Sequence, residues 1–310
     1  MTTAVSDSVI QKSIQRRRSP LNPGWVPWVM LAPATLVIAG MILYPAINAI
    51  WLSLTSTNLL NTAAQKFVGT QNYASVFGSS EFYISLRNSA IWTFGNVACQ
   101  LVFGTLGALI LNSRIRARGA IRGLVLVPWA TPSVLVALMW MWMLDPNLGI
   151  INHLLQMIGL QQQPHAWFAD PTTAMPSLIF VGIWGGVPFF AVMILAALQG
   201  VPEELLEAAK IDGANAWQSF WRVVLPLISS TVLITTILRL IWTANYFDLM
   251  LILTNGGPAN GTLTLPLFAY QTAYRGFDFG MAAALGVVQA AILAILIVFY
   301  VRQIRKSEIA

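Results

Sequence analysis

Residues 201–226 read Val201-Pro-Glu-Glu-Leu-Leu-Glu-Ala-Ala-Lys-Ile-Asp-Gly-Ala-Asn-Ala-Trp-Gln-Ser-Phe-Trp-Arg-Val-Val-Leu-Pro226 and divide two apolar runs, 176–199 and 226–253. Four of the chain's eleven acidic residues fall here: Glu203, Glu204, Glu207 and Asp212. The flanking runs are long enough to cross a hydrocarbon core about 30 Å thick. A polar island kept between two such runs predicts a membrane bundle that meets something outside the bilayer through this segment. Composition points the same way. The 310 residues are 57% hydrophobic and 9% charged, well under the roughly 25% charged content of a soluble domain.

Working outward, six spans can be drawn, at about 28–54, 86–111, 123–144, 176–199, 226–253 and 279–301. The expected fold class is all-α, a polytopic membrane helix bundle, with tails at 1–27 and 302–310. Pro33 and Pro45 lie inside the first span, where neighbouring groups can satisfy the freed carbonyls. The first run follows Lys12 and Arg16–Arg18 and is too long for the 7–15-residue core of a cleaved signal, so it reads as an uncleaved span. Basic residues cluster in the N-terminal tail (Lys12, Arg16, Arg17, Arg18), the second-to-third connection (Arg114, Arg116, Arg118, Arg122), the 201–225 segment (Lys210, Arg222) and the C-terminal tail (Arg302, Arg305, Lys306). The alternate connections hold only Lys66, Arg87 and Arg275. Thirteen against three puts both termini and residues 201–225 in the cytoplasm. The net charge of +6 is thereby explained by topology rather than by nucleic acid. The outer connections, 55–85, 145–175 and 254–278, can lie as caps, and Asn255-Gly-Gly-Pro258 is a strong turn signal.

Local chemistry predicts two short helices in the island. Pro202 suits a first helical position, and Glu203 and Glu204 favour the positive end of the dipole. Gly213 can stop the first helix in a left-handed conformation. Asn215 can cap a second, with Gln218 three residues on completing a capping box. Three uses are open to such a pair. One is an ordinary loop packed on its own bundle. A second, a DNA-reading helix-turn-helix, fails because four acids face only Lys210 and Arg222, the wrong sign for phosphate. The third is a docking knob in which Ala208, Ala209 and Gly213 permit close approach and Glu207 offers a carboxylate.

The series Glu207-Ala208-Ala209, Gly213 and Val223-x-Leu225-Pro226 resembles the EAA loop of binding-protein-dependent ABC importer permeases, with Val223 where that family prefers isoleucine. Thr254-Asn-Gly-Gly-Pro258 is similar to the Thr-Gly-Gly-Gly-Pro of the maltose/glycerol-phosphate group of sugar permeases, with Asn255 in place of a glycine. Tyr44-Pro45, Gly69-x-x-Asn72-Tyr73, Phe247-Asp248, and Tyr270 to Gly280 followed by Ala282-Ala-Ala284 extend the match over nearly the whole chain. The resemblance implies an inner-membrane subunit that pairs with a second permease. It also implies that two ATP-binding cassette ATPase subunits dock on this loop through Glu207, Ala208, Ala209, Asp212, Gly213, Leu225 and Pro226. Solute would come from an extracytoplasmic binding protein, and ATP and Mg would sit on the partner ATPases. The chain has no Gly-Lys pair, hence no phosphate-binding loop of its own, and it reads as a non-enzyme without a cofactor.

Ionisable groups inside a bilayer default to functional candidates, and Arg239 and Asp248 qualify. Nine residues apart, they sit about 13 Å from each other along a helix and on nearly opposite faces. With Trp242, Asn245 and Tyr246 between them they form a candidate wall for a sugar path, since aromatic faces and a few placed polar groups suit such a ligand. Interfacial packing for the two aromatics, turn bracing for Asp248, and pairing of Arg239 with a partner permease stay open. His153 and His165 lack a second ligand at metal spacing. Cys99, the single cysteine, reads as a small buried residue. Gly182-x-x-x-Gly186 and Gly104-x-x-x-Ala108 are expected to let helices approach closely. The rival function, an ion-gradient-driven secondary transporter, would call for more intramembrane acids or histidines and paired broken helices. A membrane enzyme would need a clustered acid–base or metal constellation, and none is visible.

Overall fold

The computed structural model describes residues 25–58, 60, 65–113 and 116–309, with side chains at 118 and 303–309 excepted. The basic residues Lys12, Arg16–Arg18 and Arg114 and the side chains of Arg118, Arg305 and Lys306 therefore lie outside the described residues. The chain divides into two compact units, 1–48 and 49–310. The described part of the first belongs to helix α1 (Val26–Ser53), which carries Pro33 and Pro45 without a break.

The second unit is helical throughout, and its only β-pairings among the described residues are single bridges, Thr55 to Phe67 and Asn58 to Asp278. A short α2 (Gln71–Gly78) leads into the long α3 (Ser80–Asn112). Then come α4 (Arg118–Ala130), α5 (Ser133–Met143), α6 (Ile150–Met157) and α7 (Ala174–Leu198). The polar island forms α8 (Glu203–Ile211) and α9 (Ala216–Ser219), and a π-helical turn, Phe220–Val224, carries the chain into α10 (Leu225–Ala244). The chain closes with α11 (Asp248–Leu253), α12 (Leu265–Tyr274) and α13 (Phe279–Ile309). Five helical segments are long and apolar enough to cross a membrane, and six if the bent pair α4–α5 counts as one span.

Two of the expected spans are not single helices. The run expected at 123–144 is α4 and α5, bent by 93° at the intervening break. Pro132 is the cause at the residue level: it biases Thr131 toward extended backbone, and Thr131 is found there at ψ 130°. The run expected at 226–253 stops at Ala244 and resumes at Asp248.

Between helices in lipid there is little hydrophobic drive, so van der Waals fit and hydrogen bonds hold the bundle. α3 and α7 form its central pair, and the small residues singled out in sequence lie on it. A Cβ at Gly104 would collide with Phe190, and one at Gly182 would collide with Asn96 and Trp92. Phe190, Ala191 and Ile194 of α7 then close on Val97, Ala108 and Leu111 of α3 with no gap to solvent. A second cluster gathers Trp92, Trp140, Leu178, Met250 and Leu267.

The motif residues at 69–73 and 255–280 brace the connections. Asn72 Nδ2 donates to the carbonyls of Ser53 (2.8 Å) and Thr55 (2.9 Å), and the Tyr73 and Ser53 hydroxyls are 2.7 Å apart. Gly280 lies so close to the Thr55 carbonyl that no side chain fits. Asn255 takes a left-handed φ of 52°, which asparagine tolerates better than most residues, and its side-chain carbonyl accepts from Arg275 at 2.9 Å.

Candidate functional site

The polar island folds as an elbow. Pro202 is the N-cap rather than the first residue of α8, Glu203 and Glu204 occupy the first turn, and Lys210 the last. Each charge complements the helix dipole. Gly213 ends α8 at φ +82°. Its N–H donates to the Lys210 carbonyl (3.0 Å) while the Ala214 N–H reaches back to Ala209 (2.9 Å), the paired bonds of a Schellman stop. Asn215 then caps α9 in a reciprocal box, its Oδ1 accepting from the Gln218 N–H at 2.9 Å and its own N–H donating to Gln218 Oε1 at 3.0 Å.

The elbow shows solvent an apolar face. Ile211 is 86% exposed and Trp217 70% exposed, and Leu205 and Trp221 are open as well. Glu207, Ala208, Asp212 and Gly213 share this exposure, whereas Ala209 turns inward and packs on its own chain. Underneath, Val201, Leu206 and Phe220 join the cluster of Phe190, Ile194 and Leu198, so the elbow is seated on α7. Leu225 and Pro226 open α10. Pro226 has no N–H to donate, and the wider π-turn just before it absorbs the interruption. From Asn215 to Ala244 the chain is thus one helical rod.

The far end of that rod lines a polar cavity of about 280 Å³. Arg239, Trp242, Thr243 and Tyr246 form one wall, Trp92, Asn96 and Gln100 of α3 a second, and Gly182 and Gly185 of α7 a third. The last turn of α4 supplies Pro128 and Trp129, the break after it Thr131, and the start of α5 Ser133. Irregular backbone at membrane depth is tolerated where it borders a cavity, and both helix breaks meet that condition here.

Arg239 is held by neutral groups. Its Nε donates to Gln100 Oε1 at 3.0 Å, and its guanidinium carbon stands 5.8 Å from the Phe189 ring centre. Among the described residues no carboxylate comes within ion-pair distance of it. Gln100 in turn donates to the Gly182 carbonyl at 2.9 Å and to Asn96 Oδ1 at 3.3 Å. Trp92 Nε1 donates to the Thr243 carbonyl at 2.9 Å, and its ring stacks on Tyr246 with centres 6.3 Å apart.

Of the five residues picked from sequence for the path, the cavity brings together Arg239, Trp242 and Tyr246. Asn245 faces α13, where its Oδ1 accepts from Gln289 at 3.0 Å. Asp248 accepts from Ser133 Oγ at 2.7 Å, tying the start of α11 to the start of α5. Gln100, Asn96 and Trp92 were missed. They recur every four residues along one face of α3, a polar stripe inside an apolar run that a search confined to ionisable groups passes over.

Spanning helices around a polar cavity, with a capped elbow on the rod that walls it, define a solute permease. The chain belongs to the family of binding-protein-dependent transport system inner membrane components, whose profile matches residues 100–307. It is a membrane permease subunit and not an enzyme. It is 31% identical over 275 residues, 89% of this chain and 92% of the relative, to the trehalose/maltose transport system permease protein MalF of Thermococcus litoralis. It is 30% identical to the sulfoquinovosyl glycerol transport system permease protein SmoG of Agrobacterium fabrum, over 92% of this chain and 96% of that one. Among solved structures, a chain of a bacterial ABC transporter for import of the acidic polysaccharide alginate superposes with a TM-score of 0.78 at 23% identity, covering 91% of this chain and 96% of that one. At that identity the likeness speaks to the fold.

Proposed function

We propose that this chain is one of two permease subunits in an ATP-driven importer of a sugar or sugar derivative. The observation that carries the reading is the rod from Asn215 to Ala244, which joins an exposed docking elbow to the wall of a polar cavity. Two ATPase subunits, which hold the ATP and Mg, serve the assembly, and one of them grips α8 and α9. Glu207 gives a carboxylate to a basic partner residue, and Ala208, Ile211 and Gly213 give a close-fitting apolar surface. Motion at the elbow travels along the rod to Trp242, about 26 Å from Leu225 at 1.5 Å per residue. The sugar class rests on the names of the relatives and on the cavity chemistry. Trp129, Trp242 and Tyr246 offer ring faces, and Arg239, Asn96 and Gln100 offer hydrogen bonds. At about 280 Å³ the space lies at the lower edge of the roughly 300–1,000 Å³ of small-molecule sites, which suits one sugar unit at a time. Solute arrives from an extracytoplasmic binding protein, and both termini and the elbow face the cytoplasm.

The test is co-purification of the tagged chain with its ATPase, followed by uptake in vesicles loaded with ATP. Glu207→Lys is expected to lower ATPase recovery and uptake together while the chain stays membrane-inserted. Solute uptake by the chain alone, driven by an ion gradient without ATPase subunits, would refute the reading.

A further inference from the structure

Between α5 and α7 the chain runs from Pro146 to Ala169 without one Asp, Glu, Lys or Arg. Its helix α6 is largely apolar on the face that looks out, with the exposed His153 at the edge of that face. Ile150, Leu154, Met157 and Ile158, spaced as one helical stripe, are all exposed, and Leu148 and Leu160 extend the patch at either end, Leu160 at 75% exposure. The inner face is fixed by Asn152, only 2% exposed. Its Nδ2 donates to the carbonyls of Asp145 (3.1 Å) and His165 (3.0 Å), and its Oδ1 accepts from Trp167 Nε1 (2.9 Å). The outward stripe is therefore held in place by a buried polar hub rather than left free to turn inward.

We propose that α6 is an interfacial helix whose stripe is immersed in the outer leaflet of the bilayer, at the boundary between headgroups and acyl chains. Three observations select lipid over a protein partner. The Gly149 N–H bonds to the Asp145 carbonyl at 3.0 Å, closing the six-residue connection from α5 into a turn that keeps the start of α6 beside the end of α5. The exposed apolar side chains of α5, Leu138 and Trp142 among them, lead directly into Leu148. The exposed polar side chains between Pro146 and Ala169, Asn147, His153, Gln162 and Gln163, include no Asp, Glu, Lys or Arg, so the segment can lie at a bilayer boundary without desolvating such a charge. A helix with an apolar face at such a boundary buries that face about 5–10 Å deep.

The test uses the assembled transporter in phosphatidylcholine vesicles, on a Cys99→Ala background, with a bimane label at Met157→Cys or, as a second site, Leu160→Cys. Lipids spin-labelled near the headgroup are expected to reduce emission at both sites roughly two-fold, more than lipids labelled at mid-chain. Aqueous iodide should have little effect at either. Gln162→Cys, exposed in the following turn, is expected to show the reverse. Quenching of positions 157 and 160 by iodide but not by lipid would overturn the proposal. So would shielding from both quenchers, which marks a permease partner, and so would shielding that appears only when a binding protein is added, which marks that protein's docking face. None of these outcomes depends on which solute is carried.

Discussion

Arg239 brings a full charge into an apolar bundle, and the structure answers it with an amide, an aromatic ring and a cavity rather than a carboxylate. Gln100 is the hinge of that answer because one side chain serves both Arg239 and the Gly182 carbonyl. Gln100→Leu keeps the volume and removes both bonds. Losing a hydrogen bond to a charged group costs about 1.5–3 kcal/mol, so thermal stability in detergent should fall and uptake should drop at least tenfold. An unchanged uptake rate would mean that Arg239 is placed by something other than Gln100. Gly104 and Gly123 make a matched pair for steric fit. A bare Cβ at 104 already collides with the Phe190 Cβ and stands 3.1 Å from the Ala191 backbone nitrogen, so valine there is an overpacking of roughly 1–3 kcal/mol. Alanine at 123 meets nothing within 4 Å and should be neutral or slightly stabilising, by thermal unfolding. In the connection before α7, the Thr172 hydroxyl and N–H both donate to Asp170 at 2.7 Å and, the hydroxyl most of all, hold its carboxyl below the ordinary value of 3.8. A lowered folded value makes the contribution fully present above the unfolded pKa and lost only as pH falls through the folded one. The protection of the Thr172 amide, its exchange rate compared with that of an unstructured peptide at the same pH, should therefore hold down to about pH 4 and be lost below it, and Thr172→Val should move that loss to higher pH.

At the scale of elements, the elbow was written locally and could be read locally. Gly213, Asn215 and Gln218 act on backbone groups within five residues, so their spacing alone specifies the stop and the capping box. The two broken spans could not be read the same way. An apolar run advertises its length, and neither the 93° turn at Pro132 nor the gap at 245–247 shortens it. What holds the turn is tertiary: the Ser133 to Asp248 bond and the packing of α5 on α11 connect residues 115 positions apart. The path was legible only in part for a related reason. Three of its residues, Arg239 and Trp242 on α10 and Tyr246 just past its end, are neighbours in sequence, but their partners come from α3 and from around the α4–α5 break, and sequence order does not bring those together. Gly213→Val tests the elbow as an element. A β-branched residue at φ +82° carries about 1–2 kcal/mol of left-handed strain, so α8 should fray and ATPase recovery should fall. Gly213→Asn, a side chain that tolerates this region, should retain most of it. Equal behaviour of the two variants would place the glycine's role in the partner contact rather than in the backbone.

For the whole molecule, the question is how a contact at the exposed elbow reaches a cavity on the far end of α10. A helix transmits push and rotation only while its hydrogen-bond ladder is continuous, and here the ladder passes through a single irregular stretch, the π-turn at Phe220–Val224. The turn is firmly seated, since Val224 and Ile228 are buried against Phe190 and Ile194 while Phe220 packs alongside. Force on the elbow therefore divides between two elements, α10 through the backbone and α7 through packing, and each of these two lines part of the cavity. Inserting Gly-Gly between Ser219 and Phe220 separates docking from transmission. The elbow keeps its Schellman stop and capping box, so ATPase recovery should match the parent. The rod is cut, so solute uptake should fall at least tenfold while ATP hydrolysis persists. Unchanged uptake would instead indicate that α7 alone carries the stroke, whereas hydrolysis and uptake falling in parallel would indicate that docking had failed, which recovery of the ATPase on the tagged chain checks directly.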